Sequence, residues 1–540
     1  MKIALAQIEV YAGQPARNAE KILNFIEQAK NQQAEVVIFP ANAVSGVFIG
    51  DILQKESFVS DCEFFEQKII EASNKITVIF GSRDNVFVAR RRKSIMTKKF
   101  FRELDYHVEI ASTPFRIGAE KIQNETFSAQ AKESNRPIIY VNAVGIQNCG
   151  KTIYTFDGCS TVYNSRGEIV HGLEPYEENL SVIDLDEVNN LPVLELADYE
   201  EIDEIYSALH YGIEKFLNQI NVDKVVIGIS GGIDSAVAAA LYTKILGAEN
   251  IYLVNMPSVF NSATTKNLSE QLAKNLGCHY AVIPIQESVD FTVNQLSDTP
   301  FVRFGKTSNL RISNFVKENI QARDRSGRIL AAVAASVGGV FTCNANKAET
   351  TVGYATLYGD EAGFFCALAD LWKFQVYNLA RYLNQNIYNS EVIPQGIIDI
   401  VPSAELSNAQ NVDEGKGDPL KYPYHDFLFR AFMEDGMSPE DILNWYVDAT
   451  LENKIGCEVG LVQKYFPTAK DFIADLERWW KLFTGMAVAK RIQSPPILAV
   501  SRRAYGADYA ESQYPPYFTQ AYENLKASIL ARKDDVIANA

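Results

Sequence analysis

The stretch VVIGISGGIDSAVAAALY, residues 225–242, decides the fold of the larger part of this chain. Residues 225–229 read as a buried strand, 230–235 as a turn, and 236–242 as the opening of an apolar helix. A tight strand–turn–helix junction leaves backbone N–H groups free at the positive end of a helix, where a phosphate is favoured. Gly231 and Gly232 let the chain turn and let a polyanion approach the backbone, and Ser230 and Ser235 add hydroxyl donors. Asp234 is a poor neighbour for phosphate unless Mg²⁺ lies between them. Neither of the common nucleotide loops is present: no G-x-x-x-x-G-K-S/T occurs, and no G-x-G-x-x-G opens a strand–helix unit.

Strand–helix alternation continues beyond the loop. Strands are expected at 251–257, 279–285 and 340–344, and helices at 264–276, 312–320 and 328–338. This order predicts a mostly parallel sheet covered on both faces, with ligands bound beyond the carboxyl ends of its strands. Ser230, the Met256-Pro257-Ser258 turn and the 344–347 segment each follow such a strand. Upstream, 2–9, 35–40 and 76–82 read as strands, 16–31 as a helix, 136–145 as sheet, and 160–172 as a hairpin around 164–167. The densely basic stretch 88–106 reads as a solvated loop, and the acidic, turn-rich 181–203 as the domain junction with a helix starting near Tyr199.

The 540 residues suffice for two or three domains, and 47% hydrophobic with 22% charged residues is ordinary globular composition. A net charge of −16 argues against non-specific binding to nucleic acid or an anionic membrane. No run of 18 apolar residues occurs and the N-terminus is not a signal peptide, so a cytoplasmic protein is expected. Seven scattered cysteines and five dispersed histidines frame neither a disulfide scaffold nor a zinc site.

Polar chemistry collects in ENIQARDR (318–325), NKAETTVGYATLYGDEAG (346–363) and ADLWKFQVY (369–377). Two acids, two arginines and two lysines near a phosphate loop suggest Mg²⁺ held between carboxylates and triphosphate. Taken singly, Arg325 or Lys373 reads as a partner in a surface ion pair.

Together with MPS, PSAEL and KRIQSPPILAVSRRAYG (490–506), these segments make residues 205–540 closely resemble the synthetase domain of NAD⁺ synthetases, in the N-type ATP pyrophosphatase superfamily. The resemblance implies that ATP adenylates the nicotinate carboxylate of deamido-NAD⁺, with ammonia then giving NAD⁺ and AMP. It also implies Mg²⁺ and a homodimer or higher homo-oligomer. Matched by motif, Gly228, Ser230, Gly231, Gly232, Asp234, Ser235, Asn344, Lys373 and Ser403 are ATP contacts, with Asp234 and Lys373 as the catalytic pair. Asp234 and Glu349 match magnesium-side positions; Asn319, Arg323, Glu349, Asp360 and Lys490 match the deamido-NAD⁺ side. Asn344-Ala345 stands where the family has Thr-Gly.

Residues 1–190 resemble a nitrilase-type amidase, the glutaminase of long NAD⁺ synthetases, through KIALAQIE, VVIFP, ASTPFRIG, RPIIYVNAVGIQ and FDGCS. That amidase needs a Glu base, a Lys and a nucleophilic Cys. Ala41 occupies the expected Glu position, residues 80–110 hold no cysteine, and the intervening segment is short, although Lys98 and Lys99 match the lysine region. Cys149 and Cys159 read as ordinary loop or interior thiols.

The expected architecture is α/β throughout. A shortened nitrilase-like αββα sandwich (1–190) and a linker (191–204) lead to an adenine-nucleotide alpha-hydrolase-like, doubly wound parallel sheet (205–540) with a helical and extended C-terminal region. The expected activity is an ammonia-dependent NAD⁺ synthetase with an inactive amidase domain. Alternatives are a synthetase subunit fed by a separate glutaminase, an ATP pyrophosphatase-type enzyme amidating another acceptor, and a nucleotide-binding sensor or scaffold.

Overall fold

A computed structural model describes residues 1–97, 105–195, 199–512 and 515–531. The chain divides into two compact units: Met1–Phe216 with Leu498–Arg502, and Leu217–Ile497 with Arg503 onward. The division falls inside helix α4, defined below.

In the first unit, β1 (Lys2–Gln7), β2 (Val36–Ile38), β3 (Thr77–Ser82), β4 (Asn85–Arg90) and β5 (Lys93–Thr97) form one sheet. A second contains β6 (His107–Ile110) and β7 (Ile138–Val141); β8 (Val144–Cys149) and β9 (Thr152–Asp157) make an antiparallel pair. β10 (Thr161–Tyr163) and β11 (Ile169–Gly172) complete the second sheet in the order β11-β10-β7-β6, and β12 (Asn179–Asp184) the first in the order β12-β1-β2-β3-β4-β5. Ile3, Leu5, Ile38 and Ile79 of one sheet bury against Val108, Ile139, Val141 and Val162 of the other. Helices α1 (Pro15–Asn31) and α2 (Glu56–Ala72) belong to the first sheet's outer layer, and α3 (Ala119–Ser134) packs on the second. The result is the nitrilase-like αββα sandwich. One difference concerns the basic stretch read as a loop: residues through Thr97 pair as the β4–β5 hairpin, with Arg91 and Arg92 turning at φ 52° and 62°. Lys98 and Lys99 lie outside the described residues.

Helix α4 (Glu201–Gln219) leads into the second unit. There β13 (Val225–Gly228), β14 (Ile251–Asn255) and β15 (His279–Val282) run parallel. β13 is a continuous apolar run with Val225, Val226 and Ile227 fully buried, as a strand covered on both faces requires. α5 (Ile233–Leu246) and α6 (Ala263–Leu276) come between these strands, and α7 (Gln286–Asp298) follows β15. The hairpin β16 (Pro300–Arg303) and β17 (Lys306–Asn309), α8 (Asn314–Arg323), a π-helical turn over Asp324–Leu330 and α9 (Ala331–Val337) then lead to β18 (Val340–Phe341). Strand order is β15-β14-β13-β18, so the winding reverses between β13 and β18, where a ligand crevice opens. Helix α7 and the β16–β17 hairpin fall in a region for which the sequence pattern predicts no element.

Candidate functional site

The site is built at that reversal. Helix α5 is buried on nearly every face, Ala236–Ala240 included, so it is fixed by packing all round. Its first turn therefore holds the 230–235 loop rigidly at the ends of β13 and β14. Gly231 has φ +85°, and a Cβ there would stand 2.4 Å from the Thr265 carbonyl oxygen. Only glycine meets both conditions. The loop hydroxyls are satisfied internally: Ser230 Oγ lies 3.2 Å from Ser235 Oγ and accepts from Gly232 N–H, while Ser235 Oγ donates to Gly232 O.

Asp234, in the first turn of α5, meets two groups from distant segments. Lys373 begins α11 (Lys373–Tyr382) and places Nζ 2.5 Å from Asp234 Oδ2 and 3.7 Å from Glu349 Oε1. Asn346 caps α10 (Lys347–Val352): its Oδ1 accepts from Glu349 N–H while its Nδ2 donates to Asp234 Oδ1 at 3.1 Å. The N-x-x-E spacing of a capping box thus puts Glu349 beside Asp234. Tyr422 donates its hydroxyl to Glu349 Oε1 at 3.1 Å. Burial pushes the Glu349 carboxyl up, against the opposing pull of Lys373. Burial alone lowers the Lys373 ammonium, but Asp234 and Glu349 outweigh it and hold the group above the ordinary lysine value.

These residues line a pocket of about 270 Å³. It brings together Gly228, Ser230, Gly231, Gly232, Asp234, Ser235, Asn344, Glu349, Asp360, Lys373 and Ser403, all singled out from the sequence. Asn319, Arg323 and Lys490 do not line it. Arg323 and Lys490 instead hold one segment at its border: Arg323 Nε donates to Leu357 O at 3.0 Å, and Lys490 Nζ to Gly353 O and Ala355 O. Asp360 accepts from Thr356 N–H in the same segment, and burial raises its carboxyl. Asn319, half-buried on α8, accepts weakly from Arg323 Nη2 at 3.4 Å.

Asp418 and Asn261 line the pocket without having been singled out from the sequence, whereas Met256 and Arg325 had been. Asp418 accepts from Tyr354, Gln410 and Ala404, and burial raises it; Met256 and Asn261 follow β14. Arg325 donates Nε to Met256 O at 3.1 Å and Nη2 to Asn261 Oδ1 at 3.2 Å. Contrary to the ion-pair reading, no carboxylate of the described residues lies within 4 Å of it. Lys373 too is no surface pair but a buried one. The ARDR spacing marked Arg325 without saying what it faces.

In the first unit, Ala41 follows β2, donates its N–H to Ala111 O and accepts from Ser112. Cys149 is exposed, whereas Cys159 is buried. Burial, with Asp157 and Glu120 adding to it, pushes the Cys159 thiol well above the usual thiol range. No helix among the described residues is long and apolar enough to cross a membrane.

The NAD synthase family pattern matches residues 205–460, the segment that carries every residue of the pocket. Residues 205–460 are an NAD synthase domain. Across 590 aligned residues, 94% of this chain and 97% of the relative, the chain is 28% identical to a glutamine-dependent NAD(+) synthetase of Synechocystis. It is 27% identical to the protein of that name from Xylella fastidiosa, over 95% of this chain and 98% of the relative. A solved structure titled glutamine-dependent NAD(+) synthetase from Cytophaga hutchinsonii shares the fold over 98% of this chain and 99% of its own, with TM-score 0.74 and 15% identity. The two-domain organisation therefore runs through relatives along the whole chain. These matches overturn the expectation of an ammonia-dependent enzyme with an inactive amidase domain. The relatives that match both units bear the glutamine-dependent name.

Proposed function

We propose that this chain is a glutamine-dependent NAD⁺ synthetase: it adenylates the carboxylate of deamido-NAD⁺ with ATP and replaces AMP by an amide nitrogen drawn from glutamine. The observation that carries the ligase reading is the convergence of Asp234, Glu349 and Lys373 beside the phosphate loop, at the positive end of α5. A carboxylate reacts poorly with ammonia because its leaving group is oxide. Attack of its oxygen on the α-phosphorus, with the bond to pyrophosphate breaking, converts that leaving group into AMP. Attack by ammonia on the acyl carbon then forms the amide.

The donor set suits Mg²⁺. Two carboxylates within reach of one ammonium can share a cation whose remaining positions go to phosphate and water. When bound, the ion neutralises charge on the phosphate oxygens. Asp234 and Glu349 would hold it, and Lys373, whose ammonium these two carboxylates favour, would stay beside the developing charge. Gly228, Ser230, Gly231, Gly232, Ser235, Asn344 and Ser403 surround ATP. Asp360, Arg323, Lys490 and Asn319 carry deamido-NAD⁺ around the 353–360 segment.

The nitrogen source is supported by the names of the full-length relatives. Ala41 offers no acid, so amide hydrolysis in the first unit uses groups other than that position, and no separate glutaminase is needed. The test supplies the purified chain with Mg²⁺, ATP, deamido-NAD⁺, amide-¹⁵N glutamine and unlabelled ammonium. The expected product is ¹⁵N-labelled NAD⁺ with equal AMP and pyrophosphate. Unlabelled NAD⁺ alone refutes the glutamine step; no AMP with either donor refutes the ligase.

A further inference from the structure

The cations around the pocket differ in one respect. Lys373 is paired with Asp234 and Glu349, and Lys490 is spent on two backbone carbonyls. Lys266, at the rim, is exposed. Arg325 is half-buried, lines the pocket, and has no carboxylate of the described residues within 4 Å. Its Nε and Nη2 are fixed on the loop after β14, and its Nη1 has no hydrogen bond among the described residues.

A guanidinium does not lose its proton in a site like this, but burial makes its charge costly, and the carboxylates that favour it, Asp360, Asp324 and Glu405, act without direct contact. Here the cost is borne with the side chain clamped at two nitrogens, which leaves the third presented in a fixed direction. The clamp sits in the π-helical turn Asp324–Leu330, an irregularity found mostly at functional positions. The same turn supplies Leu330, whose methyl group would lie 3.1 Å from a Cβ at Gly228, so Arg325 and the β13 strand end share one wall.

We propose that Arg325 is an anion contact of the nucleotide, donating through Nη1 to a phosphate oxygen of ATP. A cation there answers the repulsion between two anionic reactants, the substrate carboxylate and the nucleotide phosphate. It acts by charge alone: no bond to Arg325 forms or breaks, and its proton stays in place. The proposal rests on the reading of this pocket as an ATP site.

Binding of ATP and of adenosine to the full chain, measured by calorimetry with Mg²⁺ present, tests it in the wild type, Arg325→Met and Arg325→Lys. Expected is a roughly 10- to 100-fold loss of ATP affinity in Arg325→Met, the size of one lost charge-assisted hydrogen bond. Adenosine affinity stays within about twofold by the same reasoning, and Arg325→Lys recovers part of the ATP affinity because it keeps the charge. Equal losses for ATP and adenosine overturn the proposal, because Arg325 then serves only the loop of Met256 and Asn261. Unchanged ATP binding in Arg325→Met overturns it as well. A wild type that binds no ATP overturns the ATP-site reading itself, a result distinct from either. Should Arg325→Met not fold, Arg325→Gln, which keeps donors without charge, gives the same ATP-against-adenosine comparison.

Discussion

Lys373→Met separates two roles of one side chain. The substitution removes the cation 2.5 Å from Asp234 and 3.7 Å from Glu349, leaving two carboxylates that shared it. Breaking a buried pair by removing one partner costs roughly 3–5 kcal/mol. The Asp234 and Glu349 side chains remain 17% and 19% exposed, and Glu349 already favours its proton, so the lower end, about 3 kcal/mol, applies. Mg²⁺ no longer has to displace an ammonium from Asp234, so the ion binds the variant more tightly and returns part of the lost stability through ligand linkage. Turnover moves the other way. Loss of a fixed charge at the developing phosphate charge lowers kcat by about 10²- to 10³-fold. Thermal melts across a Mg²⁺ titration, run beside a pyrophosphate-release assay, read both effects. The expected pattern is a lower melting temperature without Mg²⁺, a larger upward shift with it than in wild type, and low turnover throughout. A variant that melts like wild type and gains no more from Mg²⁺ refutes the shared-cation argument, whatever its activity.

Asp234→Asn keeps an acceptor for Asn346 Nδ2 but removes the charge facing Lys373; steady-state assays should show a loss of about 10²-fold or more with the fold retained. Near-normal turnover removes Asp234 from the mechanism. Gly231→Ala forces a Cβ to 2.4 Å from Thr265 O at positive φ and should cost about 1–3 kcal/mol, read as a lower urea midpoint with weaker ATP binding. Asp426, fully buried, accepts from Phe374 N–H at the start of α11, and burial pushes its carboxyl up to about 7 from an ordinary 3.8. Between those values the folded chain holds a proton that the unfolded chain has released, so stability falls as pH rises from about 4 to about 7, by at most about 1.4 kcal/mol per pH unit. Asp426→Asn should flatten that slope in urea titrations at pH 5 and pH 7, and an unaltered slope rules Asp426 out as its source.

The phosphate loop is legible in the sequence because its chemistry is local: a buried strand, glycines free to turn, and a helix start. Asn346 is legible only in part. The N-x-x-E spacing announces the cap of α10, but the bond from its amide to Asp234 joins residues 112 positions apart. Arg325 is legible only as a basic residue near the phosphate loop, since the groups that clamp it, Met256 O and Asn261 Oδ1, lie 69 and 64 positions away. The β4–β5 hairpin hides behind its charge. Its turn uses Arg91 and Arg92 at positive φ, where asparagine and glycine are the usual signal. Helix α7, QESVDFTVNQLSD, buries only Val289, too little for an apolar stripe to announce it. The expectation of an ammonia-dependent enzyme had a different flaw. It extended three local signs, Ala41, the cysteine-free stretch 80–110 and a short intervening segment, to the activity of a whole domain that full-length relatives share.

The charges of the pocket bear on how it fills. Asp234, Glu349, Asp360 and Asp418 face Lys373 and Arg325, so full ionisation leaves the walls net negative. Burial raises the Glu349, Asp360 and Asp418 carboxyls, which disfavours their charged forms and works against that excess. A polyphosphate arriving alone would meet this negative wall with Lys373 engaged, leaving Arg325 and the rim residue Lys266 to receive it. One arriving with its divalent cation supplies the charge that Asp234 and Glu349 need. With such a cation bound, Lys373 would be free to turn toward the phosphates. On the proposed reading, the contacts of Lys373 with Asp234 and Glu349 are the ones that a metal–nucleotide pair would replace with its own, so entry of metal and nucleotide as one unit is the expectation.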